Sequence, residues 1–353
     1  MTKEEKLKAI DSFKKSYDKT YGEGSFRTLN SDSYREVPKR STGLLGLDLI
    51  LSGGFGESRI VEIYGPESSG KTSVVLSAIA EEMKRDSTAQ VFYADAENAF
   101  DEGYAKTLGV DLNRLVLDQS NGTEDILNKL RDVIRSGLFS YVVLDSVNSI
   151  SPQTEQDKGM EESTMGVNAR LISSFLRQIV GPLGKSECKT TLIIISQIRM
   201  KIGGYGNPEV AGVGSSIKFF ASQRLEVRKK ETNTVGDEAI SNTVKIKCVK
   251  SKIGKPFREG LFTIRFGEGF DRGSDILELG LKLGVLESRG AWLYYGEQKW
   301  NGKVKFTEYL KTDEKLYEEI KQKIEDTIHG KNINLDDVKV DSSEEVTNQT
   351  EEE

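Results

Sequence analysis

The chain has 353 residues, enough for one large α/β core with one or two small domains. It carries 50 Lys and Arg residues against 56 Asp and Glu residues, and residues 331–353 alone account for the whole net charge of −6. Two distant cysteines exclude a disulfide framework or a zinc site, and a single histidine at position 329 excludes histidine-based nucleophilic catalysis. Without an apolar leader or a membrane-length apolar run, the sequence predicts a cytoplasmic protein.

The first predicted element is an amphipathic helix over residues 3–20. Its apolar residues recur on one helical face, at Leu7, Ile10, Phe13 and Tyr17. A polar, Gly-containing stretch up to residue 40 separates this helix from the following pattern, so we expect an arm that packs outside its own domain. A helix folded back on its own core is the alternative. The basic pair Lys39-Arg40 fits no chemical motif and receives no role.

A nucleotide-binding loop follows the apolar run at 60–64. Residues 65–72 read GPESSGKT and fit G-x-x-x-x-G-K-[ST], in which two glycines let successive N–H groups surround a phosphate. We expect Lys71 to reach the β- and γ-phosphates and the Thr72 hydroxyl to ligate Mg²⁺. A Gly-rich turn with a chance Gly-Lys-Thr is disfavoured by the strand before it and the helix after it. The predicted nucleotide contacts are Gly65, Pro66, Glu67, Ser68, Ser69, Gly70, Lys71, Thr72 and Ser73.

Short apolar runs alternate with helical patterns over residues 41–270. The first runs lie at 60–63, 91–94, 115–117, 141–144 and 192–196. Strands this apolar, joined by helices, predict a parallel sheet, and phosphates bind at the carboxyl ends of such strands. Later runs alternate apolar with polar residues and lack long crossovers, so we expect antiparallel additions to one edge. These runs lie at 222–228, 242–250 and 261–266.

Carboxylates follow two of the predicted parallel strands. Asp145 ends the run at 142–144 and predicts a second nucleotide motif, whose carboxylate holds Mg²⁺ or its water shell. Glu97 follows the run at 91–94, where a carboxylate can orient and polarise the attacking water. Asp95 is the rival candidate, but we expect structural hydrogen bonds to hold it. Asp101 and Tyr104 follow on the next helical turn, where the Tyr104 ring stacks on adenine or, alternatively, packs in the core.

A basic loop follows the last parallel strand. Gln197 ends that strand, and its amide suits a γ-phosphate sensor better than a general base. The loop from Ile198 to Pro208 carries two cations and one aromatic residue, which suit a phosphate backbone and its bases. Arg170 and Arg177 lie on one face of a predicted helix, two turns apart. Since both segments leave the sheet near the nucleotide, contact of Gln197 with the γ-phosphate could order the DNA-binding loop.

A small domain is predicted at residues 271–330. It comprises a helix near 275–283, a hairpin at 292–306 that turns at Asn301-Gly302, and a final helix at 312–327. Several cations lie around the hairpin, and a solvated charged face is favoured over a nucleic-acid role. The segment 331–353 is polar and acidic enough to be a disordered tail.

These motifs together resemble those of the RecA family of bacterial DNA recombinases. The likeness covers the phosphate loop, Asp95-Ala96-Glu97, Asp145-Ser146-Val147, the segment 196–203 and Gly206-Asn207-Pro208-Glu209, and it extends to residues 290–292. The resemblance implies an α/β fold with a RecA-like P-loop ATPase core and a mostly parallel central sheet. It divides the chain into an N-terminal arm for subunit packing at 1–40, the core at 41–270, the small α/β domain at 271–330 and the tail at 331–353.

The activity implied by this resemblance is that of a DNA-dependent ATPase. Such a protein uses ATP and Mg²⁺, forms helical filaments on single-stranded DNA, and pairs that strand with homologous duplex for exchange in recombination, repair and the SOS response. Some relatives also act on a repressor protein. Glu97 resembles the water-activating glutamate and Gln197 the γ-phosphate sensor, while Lys250 and Lys252 resemble a pair that reaches a neighbouring subunit's γ-phosphate.

The resemblance also assigns surfaces. Lys218 and Phe219 correspond to the subunit interface. The positions that match DNA contacts are Met165, Arg170, Ser173, Arg177, Arg199, Lys201, Ile202 and Tyr205. The second DNA loop at 210–216 departs from the family, because it lacks a threonine run and a Gly-Asn pair.

Two other classes of protein share the core pattern. A ring-forming DNA motor or helicase is disfavoured by the basic loop and by the Lys250/Lys252 pair. A filament protein that binds ATP without useful hydrolysis is disfavoured by Glu97.

Overall fold

A computed structural model describes residues 1–22, 36–153, 166–184, 188–200, 209–211, 216–330 and 340–341, and the chain forms two compact units, Met1–Pro38 and Lys39–Glu353. Four predicted DNA contacts, Met165, Lys201, Ile202 and Tyr205, lie outside the described residues, as does nearly all of the acidic tail. Arg199 is described in its backbone only. Within the part of the chain described, no helix is both long and apolar enough to cross a bilayer.

The described part of the first unit, residues 1–22 and 36–38, contains the helix α1 (Lys3–Tyr21), as predicted. A capping box begins it: the Thr2 hydroxyl accepts a bond of 3.2 Å from the Glu5 N–H, and the Thr2 N–H donates to the Glu5 carboxylate at 2.7 Å. None of its residues is buried, and Leu7 is 55% exposed. The helix is therefore specified by its own sequence, with its apolar face on the surface.

The second unit places helices on both faces of one large sheet. The described helices are α2 (Leu45–Ile50), α3 (Lys71–Arg85), α4 (Glu102–Thr107), α5 (Thr123–Ser136), α6 (Val167–Leu183), α7 (Ser216–Phe220), α8 (Arg272–Leu283), α9 (Lys303–Thr312) and α10 (Glu314–Gly330). The sheet strands are β3 (Ile60–Gly65), β4 (Val91–Asp95), β5 (Leu115–Asp118), β6 (Tyr141–Asp145), β7 (Thr191–Met200), β8 (Glu209–Ala211), β9 (Gln223–Val235), β10 (Glu238–Ser251), β11 (Glu259–Arg265), β12 (Gly269–Phe270) and β16 (Val340–Asp341). A two-stranded sheet pairs β1 (Lys39–Arg40) with β2 (Phe55–Gly56).

The strand order of the large sheet is β12-β11-β10-β9-β3-β7-β6-β4-β5, with β8 beside β7 and β16 beside β11. The central strands β3 to β7 are parallel, as expected from their continuous apolar character. The expectation for the run at 222–228 was wrong in part, because β9 runs parallel to β3. The strands β10, β11 and β12 pair antiparallel, as expected for the runs at 242–250 and 261–266, whereas β16 pairs parallel with β11. The long hairpin β9–β10 thus joins the sheet directly beside the phosphate-loop strand.

Alternation along the strands divides the core in two. Val61 and Ile63 pack with α2, α3 and the C-terminal helices on one face of the sheet. Ile60, Leu144 and Ile194 pack with α5, α6 and α7 on the opposite face. Because successive strand residues point to opposite faces, the strands β3, β4, β6 and β7 each contribute to both clusters. Cys188 and Cys248 are buried free thiols, as predicted.

The C-terminal segment contains α8, a three-stranded sheet and two helices. The sheet comprises β13 (Glu287–Arg289), β14 (Trp292–Tyr295) and β15 (Gln298–Asn301). The predicted turn at Asn301-Gly302 was wrong: β14 and β15 pair across Gly296-Glu297, where Gly296 has φ 57°. The final helix predicted at 312–327 is confirmed as α10, whereas residues 303–306, predicted as part of the hairpin, belong to the separate helix α9. Asp313 lies between the two helices, and its carboxylate accepts from the Leu316 N–H at 3.0 Å.

Arg40 has a structural role that the sequence did not indicate. Its side chain is 4% exposed and pairs with Glu82 on α3 and with Glu57 at 3.3 Å. It also donates to the Lys189 carbonyl at 3.0 Å and lies 5.7 Å from the Tyr141 ring centroid. This buried cation therefore ties β1 to the helix that follows the phosphate loop.

Candidate active site

The predicted phosphate loop connects β3 to α3 at the carboxyl edge of the sheet. A side chain at Gly65 would meet the Val227 carbonyl oxygen at 2.0 Å, since β9 passes close by. Gly70 has φ 94°, and a side chain there would meet Ile264 at 2.4 Å. Two separate backbone requirements thus explain the two glycines of the motif.

Lys71 opens α3 and folds back over the loop. Its side chain is 7% exposed, and its ammonium donates to the Pro66 carbonyl at 2.6 Å and the Gly65 carbonyl at 3.3 Å. Burial lowers the pKa of Lys71, while the nearby carboxylates of Asp145, Glu97 and Glu67 oppose that shift. The loop carbonyls hold the cation beside the position that a phosphate would take.

Thr72 and Asp145 meet across the strand ends, as the two motifs predict. The Thr72 hydroxyl donates to Asp145 Oδ2 at 3.0 Å, and the buried Tyr93 hydroxyl donates to the same oxygen at 2.7 Å. Burial raises the pKa of Asp145, and both hydroxyl donors lower it. A desolvated carboxylate beside a hydroxyl has the hard oxygen donors that Mg²⁺ prefers. Among the residues described, no group of three or more His, Cys, Asp or Glu side chains is placed to hold a metal ion.

Glu97 and Gln197 are in direct contact. The Gln197 side-chain amide donates to Glu97 Oε1 at 2.7 Å, and the hydroxyls of Ser146 and Ser149 donate to the same oxygen at 2.5 and 3.2 Å. Asn148 fixes the strand end, because its Oδ1 accepts from the Gln197 N–H at 2.7 Å. The segments that follow β4 and β6, together with Gln197 within β7, thus place a carboxylate and an amide side by side next to the phosphate loop. The strand predicted to end at Gln197 instead continues to Met200.

Asp95 is held by structural hydrogen bonds, as predicted. Its carboxylate accepts from the Phe100 N–H at 2.9 Å and from the Gln119 amide at 3.1 Å, and the residue is buried. These contacts close the turn that carries Glu97 and leave Asp95 little access to a substrate.

One cleft of about 370 Å³ brings the motifs together. It is lined by the loop residues Glu67 to Ser73, by Glu97, Asp145 and Gln197, and by Tyr104. The Tyr104 hydroxyl lies 2.9 Å from the Ser73 hydroxyl, while Asp101 instead caps α4 by accepting from the Tyr104 N–H at 2.9 Å. Sequence reasoning missed a further part of the lining, which β10, β11 and the turn after β11 supply through Asn242, Val244, Ile264, Arg265, Phe266 and Gly267.

The predicted DNA contacts on α6 share one face. Arg170 and Arg177 are exposed, and Arg177 donates to the Ser173 hydroxyl at 2.8 Å. The opposite face of α6 is buried through Ile172, Leu176 and Ile179. The helix therefore presents two cations while its apolar side packs on the sheet.

Lys250 and Lys252 lie on the face of the sheet opposite α3. The Lys250 ammonium donates to the carbonyls of Lys218 and Phe219 at 2.6 and 3.2 Å, and that of Lys252 donates to the Phe219 carbonyl at 3.3 Å. These carbonyls belong to α7, which packs with the core cluster on the α5–α6 side. The Phe219 side chain itself is 67% exposed. The pair thus points away from its own phosphate loop.

Three residues that stabilise the site escaped the sequence reasoning. Tyr93, Asn148 and Ser149 contact Asp145, Gln197 and Glu97 respectively. The available signal was the set of four polar residues among positions 145–149, directly after an apolar strand. The sequence carried no signal for the role of Tyr93, since a tyrosine within an apolar strand is usually interpreted as a core residue.

A phosphate loop on a parallel sheet, with a carboxylate and an amide at neighbouring strand ends, defines a P-loop ATPase in which hydrolysis can be coupled to a second ligand. The comparisons with known proteins narrow that class. The chain belongs to the RecA family: the RecA N-terminal domain model matches residues 8–271 and the RecA C-terminal domain model matches residues 274–329. The prediction of a DNA-dependent ATPase that serves as a recombinase in homologous pairing is confirmed, and a ring-forming motor is not favoured.

Curated relatives resemble the chain over most of its length. Protein RecA of Wolinella succinogenes is 42% identical over 325 residues, covering 91% of this chain and 92% of that protein. Protein RecA of Helicobacter pylori strain P12 is 43% identical over 329 residues, with 92% and 94% covered. Protein RecA of a Sulfurovum species is 39% identical over 346 residues, with 97% and 99% covered.

Proposed function

We propose that ATP binds with its β- and γ-phosphates on residues 65–72 and is hydrolysed only in a filament, where a neighbouring protomer supplies Lys250 and Lys252. The contact of 2.7 Å between Glu97 and Gln197 carries this proposal. It joins a group suited to activating water to a group suited to sensing the γ-phosphate, within one cleft. A bound γ-phosphate that recruited the Gln197 amide would release Glu97 and move the end of β7, from which the basic loop leaves.

Magnesium fits the donor set at the strand ends. Thr72 and Asp145 would hold the ion, together with phosphate oxygens, and Tyr93 would orient the Asp145 carboxylate from behind. When bound, the ion would neutralise phosphate charge and polarise the transferred group. The raised pKa of Asp145 supports this assignment, because a buried carboxylate gains most from a nearby cation.

Glu97 is proposed as the residue that orients and polarises the attacking water. Its three hydrogen bonds within the chain all go to Oε1, and Oε2 accepts none among the described residues. The hydroxyls of Ser146 and Ser149 would hold the carboxylate in place after Gln197 turned to the phosphate. Lys71 would then hold the β/γ-phosphates against the loop.

The lysine pair is proposed to act in trans. In its own protomer it binds the carbonyl end of α7, on the sheet face opposite α3. Two ammoniums supplied by a neighbour would stabilise the charge of the transferred phosphoryl group. The exposed Phe219 and its neighbour Lys218 would lie in the same subunit interface, with the arm at 1–40 packing on another subunit.

Single-stranded DNA is the proposed polymer ligand, followed by pairing with homologous duplex and strand exchange. The exposed face of α6 supports this assignment through Arg170, Ser173 and Arg177. The remaining proposed contacts, Met165, Arg199, Lys201, Ile202 and Tyr205, come from the sequence alone. The ATPase and DNA-binding core at 41–270, the small domain at 271–330, a cytoplasmic location and a repressor protein as a further partner are proposed on the same ground. The tail predicted as disordered at 331–353 lies outside the described residues except for 340–341, which form β16 beside β11.

Electron microscopy tests the whole proposal. With single-stranded DNA and a non-hydrolysable ATP analogue, we expect open helical filaments, and without nucleotide we expect few. Discrete closed rings would contradict the filament and favour a motor. Turnover measured in parallel should depend on both Mg²⁺ and DNA.

A further inference from the structure

A buried ion pair crosses the sheet between the phosphate-loop strand and the lysine pair. Glu62 lies on β3 and is 1% exposed. Its carboxylate pairs with the Arg224 guanidinium on β9, and its other oxygen accepts a bond of 3.3 Å from the Ser196 hydroxyl. Because Ser196 directly precedes Gln197, this carboxylate contacts the strand that carries the proposed phosphate sensor.

Arg224 continues the row of charges toward Lys250. In the sheet register it lies opposite Glu62 on one side and opposite Lys250 on the other. Its guanidinium lies 4.7 Å from the ring centroid of Tyr64, which restricts its movement over the sheet. Glu62, Arg224 and Lys250 thus form one row across three neighbouring strands.

This row sets the electrostatic environment of Lys250. The charged groups around its ammonium are Lys252 directly after β10, Arg224 on β9 and Glu62 on β3, while α7 contributes carbonyl oxygens. Burial lowers the pKa of Lys250, and the cations Lys252 and Arg224 lower it further. Glu62 opposes these effects, since it supplies the negative charge of the group.

A buried ion pair is a poor source of stability, because well-packed apolar residues often serve as well or better. We propose that Glu62 is a positioning residue for the trans-acting lysines: it holds Arg224 against the sheet and offsets its charge, so that Lys250 and Lys252 keep their places. This inference rests on the proposed role of the lysine pair. It links the phosphate sensor of one protomer, through Ser196, to the active site of the next.

Mixed filaments separate an effect on the neighbour from an effect on the protomer's own loop. Glu97→Gln protomers retain the lysine pair but lack the proposed water-activating carboxylate. Wild-type, Glu62→Gln and Lys250→Ala proteins are each diluted into a large excess of Glu97→Gln protein on single-stranded DNA. ATP turnover is then measured per diluted protomer.

Alone, Glu62→Gln should lose about 10-fold to 100-fold in turnover, as expected for a misplaced catalytic group. In the mixture, its turnover should return to that of wild-type protein diluted in the same way, because every neighbour then supplies an intact lysine pair. If Lys250→Ala recovers and Glu62→Gln does not, the inference is overturned and the proposed function stands. If Lys250→Ala does not recover, the trans role fails, and the inference fails with it.

A second variant guards against misfolding, since Glu62→Gln leaves Arg224 without its counter-ion. The double variant Glu62→Leu/Arg224→Met replaces the pair by apolar residues of similar size, which a sheet interior tolerates. It should bind nucleotide, turn over slowly alone and recover in the mixture. Wild-type turnover by this variant alone would show that the pair positions nothing.

The pH profile gives a signature that a merely structural role would not. Loss of the Glu62 charge should move the alkaline limb of turnover to lower pH by about one unit, because Lys250 then loses its proton more readily. Glu226→Gln is the matched control: Glu226 lies two residues from Arg224 on the same strand but pairs with Arg228. A uniform loss at every pH, with the limb unmoved, would overturn the inference.

Discussion

The nucleotide cleft holds its functional groups by hydrogen bonds within the protomer, whereas the surface formed by α6 and α7, called the α6–α7 surface below, leaves its functional groups exposed. In the cleft, Glu97 and Asp145 each accept hydrogen bonds from side chains of the same protomer. On the α6–α7 surface, Arg170, Arg177 and Phe219 are exposed. The difference teaches that a site for a small ligand is organised within the chain, whereas surfaces for a polymer or a second copy depend on the partner for their final geometry.

Removing the cation of the phosphate loop should abolish the function of the nucleotide cleft, the first of the two regions compared. Lys71→Ala should reduce DNA-dependent ATP turnover by about 10³-fold, because the β/γ-phosphates lose their buried cation. Turnover and nucleotide affinity are measured with single-stranded DNA present. Lys84→Ala is the control, since Lys84 lies on the same helix but pairs with Glu314 and Glu318 at the surface. Near wild-type turnover by Lys71→Ala would remove the site assignment.

A buried charge outside the cleft should affect stability instead. Arg40→Met removes one of the two counter-ions of the buried Glu82, while Arg85 keeps its bond of 2.7 Å, so we expect a loss of about 2–3 kcal/mol in the free energy of unfolding. Urea denaturation measures this loss. Lys39→Met should change stability far less, because Lys39 is only partly buried, whereas the Arg40 side chain is 4% exposed. Equal losses for the two variants would contradict the assigned role of Arg40.

The buried carboxylate of Asp275 gives a second test outside the cleft, through the pH dependence of the free energy of unfolding. It is buried and accepts from the Gly46 N–H at 2.9 Å, and burial raises its pKa from 3.8 to about 7. The folded state therefore binds this proton more tightly than the unfolded state, so the stability of the wild-type protein should fall as pH rises from 4 to 7. Asp275→Asn should remove the part of that fall that Asp275 causes and gain about 2–4 kcal/mol over wild type at pH 8. A smaller fall should remain, because burial also raises the pKa of Asp48 from 3.8 to about 6.

Urea denaturation at pH 5 and pH 8 checks this prediction. Asp326→Asn, at an exposed position on α10, should leave the wild-type profile unchanged. Parallel profiles for wild type and Asp275→Asn would show that Asp275 is ionised at little cost in the folded state.

The smallest expected effect concerns single-stranded DNA binding by the α6–α7 surface, the second region compared. Arg177→Ala should reduce the salt slope of single-stranded DNA binding by about one, as expected for one lost phosphate contact. Fluorescence anisotropy over a range of salt concentrations measures the slope. Arg135→Ala removes an equally exposed arginine from α5 and should leave the slope unchanged. An unchanged slope for Arg177→Ala would remove that residue from the proposed contacts.

The sequence predicted the parallel part of the sheet and the central residues of the cleft well, because both follow from local patterns. Continuous apolar runs specify buried strands, and the phosphate-loop motif fixes its own backbone. It failed where the outcome depended on distant partners. The direction of β9 relative to β3 depends on pairing across the chain, and Arg40 acquires its role from Glu82, forty-two residues away. Asn148 and Ser149 were missed because their contacts reach strands far along the sequence.

Gly65 has a consequence for how mutational scans of this chain should be interpreted. Any side chain at this position would collide with the Val227 carbonyl, which lies on the strand that also carries Arg224. Intolerance to substitution at position 65 would therefore report sheet closure as much as nucleotide affinity. A library scored only by activity would merge the two causes, and a parallel score for folded protein would separate them.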